Sequence, residues 1–96
     1  MLTWLIYDIS KDRARAKISD LCTDFGLYRV QKSVFLGDLE SNRVDELVLQ
    51  SKELLDEGTD SLYVFPMCRD DFDKVRIVGQ GFDEDLVADD LVTKIV

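Results

Sequence analysis

The chain has 96 residues, enough for a single domain that buries roughly 60 to 65% of the surface of its unfolded chain. Its 46% of hydrophobic residues excludes a disordered chain, and its net charge of −8 makes it a poor nonspecific binder of nucleic acid. Histidine is absent, which excludes Ser-His-Asp and Cys-His nucleophiles and histidine metal sites. Any catalysis must therefore use carboxylates, hydroxyls or a metal ion.

Charge is distributed unevenly along the chain. Residues 1–37 hold six bases and four acids, a net charge of +2, whereas residues 38–96 carry a net charge of −10. A local basic surface can meet a phosphate backbone even in an acidic protein. The basic residues of the first part of the chain are therefore the candidates for contact with an anionic partner.

Cysteine use and hydropathy predict the compartment. Cys22 and Cys68 lack the spacing of a zinc site or a disulfide scaffold, so we expect two free thiols. We find neither a leader-like segment nor an apolar stretch long enough to span a bilayer. We therefore expect a cytoplasmic protein with no membrane partner.

The first predicted element is a strand at residues 2–7, followed directly by Asp8. Its nearly unbroken run of apolar β-formers is typical of a central strand that is covered on both faces. The carboxylate of Asp8 would stand where the strand ends, and ligands of α/β folds gather at such ends. An Asp at a strand end also caps helices and accepts bonds from loop amides, so both interpretations remain open on the pattern alone.

Apolar residues with helical spacing predict a helix over residues 12–25. Ser10 or Asp12 is the expected N-cap, and Gly26 is the expected stop. Arg15 falls at the edge of the apolar stripe. The opposite face carries the charged residues Arg13, Lys17, Asp20 and Asp24.

Residues 27–39 read as extended chain, which is too long for one ordinary strand. We expect two short strands joined by a tight bend near residues 31–33, or one strand broken by a bulge. Ser41 is the expected N-cap of a second helix, and Gly58 is its expected end. The strand at residues 61–67 contains Pro66, which cannot donate to a ladder and therefore predicts a sheet edge.

The remaining residues are expected to form a short strand at residues 75–78 and an apolar, acidic tail at residues 79–96. The tail is apolar enough to dock as a strand on its own sheet, on a partner protomer or on another protein. The order of elements predicts an α+β fold, a ferredoxin-like βαββαβ sandwich with an added C-terminal strand and tail. Residues 1–96 would form one domain.

Two stretches read together resemble a known family: LIYDIS at residues 5–10 and RVQKSVFLGDL at residues 29–39. They are similar to the small CRISPR-associated spacer-acquisition protein, the dimeric subunit that accompanies the CRISPR integrase. The resemblance implies a ferredoxin-like homodimer in which Asp8 of each protomer faces its twin across the two-fold axis. It further implies a divalent metal, usually Mg²⁺, at that Asp8 pair and endonuclease activity on single-stranded RNA or double-stranded DNA.

The resemblance also implies roles for individual residues. Asp8 matches the catalytic and metal-binding position. Arg15, Arg29 and Ser33 match positions associated with activity, and we expect them to contact nucleic acid, whereas Phe35 matches a position in the dimer cleft. Lys17 stands where some relatives have Arg, so it offers a point charge for nucleic acid in place of a bidentate fork.

A metal at the two-fold axis also has a physical rationale. Two carboxylates that meet at a symmetry axis repel each other, so a proton or a cation must lie between them. Mg²⁺ suits this place because it binds through one or two carboxylates, keeps several waters and completes its shell with phosphate oxygens.

Other interpretations of the same residues remain open. One alternative is a non-catalytic dimeric adaptor that bridges integrase subunits and supports protospacer DNA. Another is a toxin-like ribonuclease of the same fold. A small-molecule regulatory domain is a third class, although no Gly-rich phosphate loop supports it. For the individual residues a purely structural interpretation also stays open, in which Arg29, Lys32 and Ser33 are exposed strand residues and Phe35 is a core aromatic.

Overall fold

The computed structural model describes residues 1–79, which form a four-stranded antiparallel sheet with two long helices on one face. The strand order is β2-β3-β1-β4, so β1 is central and the predicted ferredoxin-like α+β fold is confirmed. The elements in chain order are β1 Leu2–Asp8, α1 Asp12–Asp24, β2 Tyr28–Gln31, β3 Val34–Asp38, α2 Ser41–Leu54, β4 Ser61–Met67 and α3 Arg69–Phe72.

The main core lies between the sheet and the two long helices. Alternate residues of β1 point to this side, because successive side chains of a strand point to opposite faces. Leu5 is completely buried, pairs with Phe35 of β3 and Val64 of β4, and belongs to the same apolar cluster as Ile18 of α1 and Leu47 of α2. Each methylene buried here contributes about 0.8 kcal/mol, which makes this cluster the main source of stability.

The other face of the sheet is only partly covered. Trp4 pairs with Leu36 and Phe65 on this face, and Phe72 of α3 packs against Trp4 with 6.1 Å between ring centroids. Phe65 is nevertheless 47% exposed and Tyr63 is 56% exposed. We call this side of the sheet the open face.

The segment at residues 27–39 forms a hairpin, as predicted. Strands β2 and β3 are joined by a turn at residues 32–33. The alternative of a bulge is present as well, because the register shifts between Arg29 and Gln31 and leaves Val30 as the extra residue. Pro66 lies in β4 at the sheet edge, which confirms that prediction.

Helix boundaries differ in detail from the predicted ones. Lys11 is the N-cap of α1 and Glu40 that of α2, with no side-chain cap bond at either, so the expected caps Ser10, Asp12 and Ser41 are wrong. The second helix ends at Leu54, and Gly58 lies in the following turn. The predicted stop of α1 is confirmed. Gly26 has a φ of +84°, and its N–H donates to the Thr23 carbonyl at 2.9 Å.

The predicted strand at residues 75–78 is not observed. Val75 packs against the small cluster on the open face, whereas Ile77 is 36% exposed and Val78 is 96% exposed. An extended segment becomes a strand only when another strand pairs with it, and this segment has no such neighbour among residues 1–79. The predicted docking tail falls almost entirely on residues 80–96, which lie outside the described residues. No helix within residues 1–79 is long and apolar enough to cross a membrane.

We expect Gly37→Ala to destabilise the fold by about 1 to 3 kcal/mol, because a methyl group there overpacks the sheet. Its Cβ would lie 2.4 Å from Leu27 Cδ2 and 3.1 Å from Leu27 Cα. Urea unfolding followed by circular dichroism measures the change. Gly58→Ala is the matched control, since its Cβ would meet only the Asp56 carboxylate, at 3.4 Å. Equal midpoints for the two variants would contradict the close packing of Gly37 on Leu27.

Candidate nucleic-acid interface

A cleft of about 560 Å³ opens where β1 ends, between α1 and the β2–β3 hairpin. The cleft forms because α1 and the turn between β2 and β3 both border the end of β1, the central strand. Four of the predicted site residues line the cleft: Asp8, Arg15, Arg29 and Ser33.

Asp8 is the last residue of β1 and is exposed. It pairs with Ser61 at the start of β4. Because strand residues alternate, Asp8 falls on the same side of the sheet as Trp4 and Ile6, which line the open face. Its carboxylate therefore stands at the border between the cleft and the open face.

Arg15 lies on α1 with its side chain 43% exposed. Its Nη1 donates to the carbonyl of Ile9 at 3.1 Å and to that of Ser10 at 3.5 Å, and its Nη2 pairs with the carboxylate of Asp12. The guanidinium thus binds the backbone that follows Asp8 while it borders the cleft. Its partial burial agrees with its predicted place at the edge of the apolar stripe.

Arg29 is held from two sides. Its Nη2 donates to the hydroxyl of Ser19 at 2.8 Å, and its guanidinium lies 5.2 Å from the centre of the Phe35 ring. A cation over an aromatic face gains about 0.5 to 1 kcal/mol at an exposed site. Its charge is therefore presented to the cleft in a preset position.

Phe35 lies beneath Arg29 and is 1% exposed. Its ring stacks on that of Tyr7 with 6.3 Å between centroids. Within the described chain it is a core aromatic, as in the alternative interpretation of this residue. Its place in a dimer cleft stays a prediction.

Tyr7 ties the hairpin turn to the central strand. Its N–H donates to the carbonyl of Ser33 at 3.1 Å, and its hydroxyl donates to that of Lys32 at 3.4 Å. Since Tyr7 is 5% exposed, these bonds fix the turn from beneath. They place the side chains of Ser33 and Lys32 at the cleft.

Among the further residues that line the cleft, sequence reasoning missed three that are polar and not buried, namely Ser19, Asp20 and Lys32. The signal for Ser19 was available, because it lies four residues after Arg15 and therefore on the same side of α1. Lys32 is one of the six bases of residues 1–37 but was not assigned to the site. The lining side chains include three bases and two acids, so the cleft is locally cationic in an acidic chain.

Lys17 does not share this cleft. It lies about 200° around the helix from Arg15, since two residues advance an α-helix by that angle. Lys17 instead lines a separate groove of about 200 Å³ between α1 and α2, together with Lys11, Arg13 and Glu53. The residues predicted to contact nucleic acid thus lie on two surfaces. Arg15, Arg29 and Ser33 line the cleft, whereas Lys17 lines the groove between α1 and α2.

The acidic side chains of the described part of the chain do not form a metal cage. Among residues 1–79 no group of three or more His, Cys, Asp or Glu side chains is arranged to hold a metal ion. Mg²⁺ needs only one or two carboxylates when water and phosphate complete its shell. The carboxylate of Asp8 is therefore a donor of the kind that Mg²⁺ accepts, and a metal at this position stays a prediction.

Cys22 lies behind Arg29 and is completely buried. Burial raises the pKa of its thiol to about 12, although the positive charge of Arg29 acts in the opposite direction. Cys22 is therefore a structural thiol and supplies no nucleophile. Cys68 is exposed, and its Sγ lies 3.3 Å from the carboxylate of Asp71.

Comparison with known families gives a match over most of the chain. The model for the CRISPR-associated protein Cas2 family matches residues 1–75. A Desulforudis audaxviator protein named CRISPR-associated endoribonuclease Cas2 is 33% identical over 87 residues, which cover 88% of this chain and 82% of that protein. An Archaeoglobus fulgidus protein named CRISPR-associated endoribonuclease Cas2 1 is 38% identical over 69 residues, covering 72% and 73%.

Solved structures share the fold. A hypothetical protein, TT1823 from Thermus thermophilus, superposes with a TM-score of 0.70 and 34% identity, covering 83% of this chain and 92% of that one. Streptococcus pyogenes Cas2 also gives a TM-score of 0.70, at 24% identity, and covers 82% and 100% of the two chains. The second similarity concerns the fold alone.

We predict that only one of the two thiols reacts in the native protein. At pH 8 the exposed Cys68 should react with Ellman's reagent within minutes, whereas Cys22 should react only after unfolding, because its raised pKa and burial suppress the thiolate. The absorbance of released thionitrobenzoate counts the reacted thiols. A Cys68→Ser variant should show no native reaction. Rapid reaction of that variant would contradict the buried position of Cys22.

Proposed function

Because the chain belongs to the CRISPR-associated Cas2 family, we propose that it acts in CRISPR spacer acquisition as a homodimer that binds nucleic acid and hydrolyses phosphodiester bonds with a divalent metal. The observation that carries the proposal is the convergence of Asp8, Arg15, Arg29 and Ser33 on one cleft. An acid, two guanidinium groups and a hydroxyl in one place suit a phosphodiester substrate.

The cations of the cleft would position the polymer. Most contacts to a nucleic-acid backbone are made by Arg, Lys and hydroxyl side chains, which orient it without reading its sequence. Arg29, preset by Ser19 and Phe35, loses little conformational freedom when it binds a phosphate. The Desulforudis and Archaeoglobus relatives are named endoribonucleases, which supports single-stranded RNA as the first substrate to test, before double-stranded DNA.

The open face supports the homodimer. It bears a groove of about 420 Å³, lined by apolar residues that include Trp4, Ile6 and Phe65. Contiguous exposed apolar surface of this kind marks an interface, and a second copy is its simplest occupant. Asp8 falls on the same side of β1 as Trp4 and Ile6, so packing two open faces around a two-fold axis would bring the two Asp8 carboxylates toward each other.

Asp8 is the residue that would hold the metal in such a dimer. Two facing carboxylates repel each other, and a divalent cation between them removes that cost. When bound, Mg²⁺ lowers the pKa of a coordinated water and neutralises charge that develops on the phosphate. Arg15 and Arg29 would hold the phosphodiester backbone of the nucleic acid close to the two Asp8 carboxylates.

A second candidate function is the non-catalytic adaptor, a dimer that bridges CRISPR integrase subunits and supports protospacer DNA. The cationic character of the cleft favours it, since three bases and two acids line the surface and binding alone needs nothing more. The two candidates share the dimer and the nucleic acid. They differ only in whether the Asp8 pair does chemistry.

We expect Asp8→Asn to lower metal-dependent cleavage by at least about 100-fold, because loss of a metal ligand removes several kcal/mol of charge stabilisation in the transition state. The measurement is the rate of cleavage of labelled single-stranded RNA and duplex DNA at increasing Mg²⁺ or Mn²⁺. Asp45→Asn on α2 is the matched control, since Asp45 is exposed and its substitution removes the same charge. Equal cleavage by the Asp8 and Asp45 variants would exclude Asp8 from the reaction. Binding without cleavage by the wild type at every metal concentration would support the adaptor.

We expect Phe65→Glu to weaken the dimer by roughly 30-fold or more, since a charge in the centre of an apolar interface costs at least about 2 kcal/mol. Sedimentation equilibrium measures the dissociation constant. Leu49→Glu is the matched control, because Leu49 is 65% exposed but lies on α2, away from the open face. A monomeric wild type, or the same dissociation constant for both variants, would overturn the proposed dimer.

A further inference from the structure

The backbone that follows Asp8 is bound from two sides. On one side Arg15 donates to the carbonyls of Ile9 and Ser10, at 3.1 and 3.5 Å. On the other side the N–H of Ser10 donates to Asp60 Oδ1 at 3.3 Å. Ile9 between them is 3% exposed and anchored in the main core. The peptide group between Ile9 and Ser10 is therefore bound both at its carbonyl and at its N–H.

Asp60 joins this segment to the start of β4. It immediately precedes Ser61, the residue that pairs with Asp8 at the end of the sheet. Its second oxygen, Oδ2, accepts a bond from the N–H of Asp56 at 3.1 Å, and Oδ1 also lies 3.4 Å from the hydroxyl of Thr59. One carboxylate thus connects the loop before β4 with the loop after β1.

We propose that Asp60 is a positioning residue for the Asp8 carboxylate, acting through the N–H of Ser10. The β1–β4 ladder ends at the Asp8–Ser61 pair, so the direction of the Asp8 side chain depends on what holds the next peptide groups. Arg15 binds the carbonyls of that segment, and Asp60 binds its N–H. The inference rests on the proposed function, because it matters only if Asp8 has a ligand to meet.

The chemistry of the contacts supports a carboxylate at this position. Two backbone N–H groups point at different oxygens of Asp60, and only an ionised carboxylate offers two acceptors of equal strength. The N–H of Asp56, followed by that of Ser10, holds the pKa of Asp60 below its usual range, although partial desolvation acts in the opposite direction. An Asn side chain accepts one of the two bonds, and an Ala side chain accepts neither.

Asp60→Asn and Asp60→Ala test the proposal in the full chain. We expect the backbone amides of Asp8, Ile9 and Ser10 to lose order, with lower ¹⁵N relaxation order parameters in the order wild type, Asn, Ala. Mn²⁺ affinity and cleavage rate should fall in the same order, by about ten-fold for Ala, because partners that orient a metal ligand contribute on this scale. The KM for nucleic acid should stay unchanged, since Asp60 does not line the cleft.

Glu57→Gln is the matched control, because it removes one charge from the same loop but has no bond to Ser10. It should behave as wild type in all of these measurements, and the thermal midpoint of each variant reports whether it is folded. The inference would be overturned if both Asp60 variants had the same order parameters, Mn²⁺ affinity and cleavage rate as Glu57→Gln.

The order parameters separate this inference from the proposed function. If the wild type neither binds Mn²⁺ nor cleaves, the proposed function fails. The order parameters of the backbone amides of residues 8–10 still show in that case whether Asp60 orders this segment. If the wild type cleaves and Asp8→Asn does not, while the Asp60 variants match Glu57→Gln, the proposed function stands and the positioning role is wrong.

Discussion

The structure depends on the alternation of side chains along β1. Leu5 and Tyr7 point to the helices and are buried in the main core, whereas Trp4 and Ile6 point to the open face. One strand thereby fixes two surfaces at once. A slip of its register by one residue would exchange the two sets, so burial of Leu5 and Tyr7 also determines on which side of the sheet Asp8 stands.

The cleft is built by core residues that never reach its surface. Tyr7 holds the hairpin turn through two backbone carbonyls, and Phe35 supports the guanidinium of Arg29 from below. Because these aromatic rings are packed against each other, the cationic groups above them are placed by the core itself. The packing that stabilises the fold therefore also sets the geometry of the cleft. A loss of packing between these two rings would displace the hairpin turn and the guanidinium of Arg29.

Much of this was predictable from the sequence because it follows from short-range rules. Apolar spacing predicted both long helices, and Pro66 predicted the edge strand. The resemblance of two stretches indicated the family and led to Asp8, Arg15 and Arg29. Helix caps were wrong because Lys11 and Glu40 cap without a side-chain bond, which no preference for Ser or Asp reveals. The segment at residues 75–78 was misread because strand propensity does not supply a pairing partner. Asp60 was missed because its bond to Ser10 joins residues 50 positions apart.

The bulge at Val30 determines which residues of the hairpin face which surface. Arg29 pairs with Phe35 on the helix side, yet Gln31, two residues later, pairs with Val34 on the open face. In an unbroken strand these two residues would share a side. The extra residue therefore lets both Val30 and Gln31 line the open face, and a chain that had lost Val30 by deletion would place Gln31 directly after Arg29, still opposite Val34 and still on that face. Such a deletion would remove the bulge and the part of the groove wall that Val30 supplies, but it would leave Lys32 and Ser33 at the cleft.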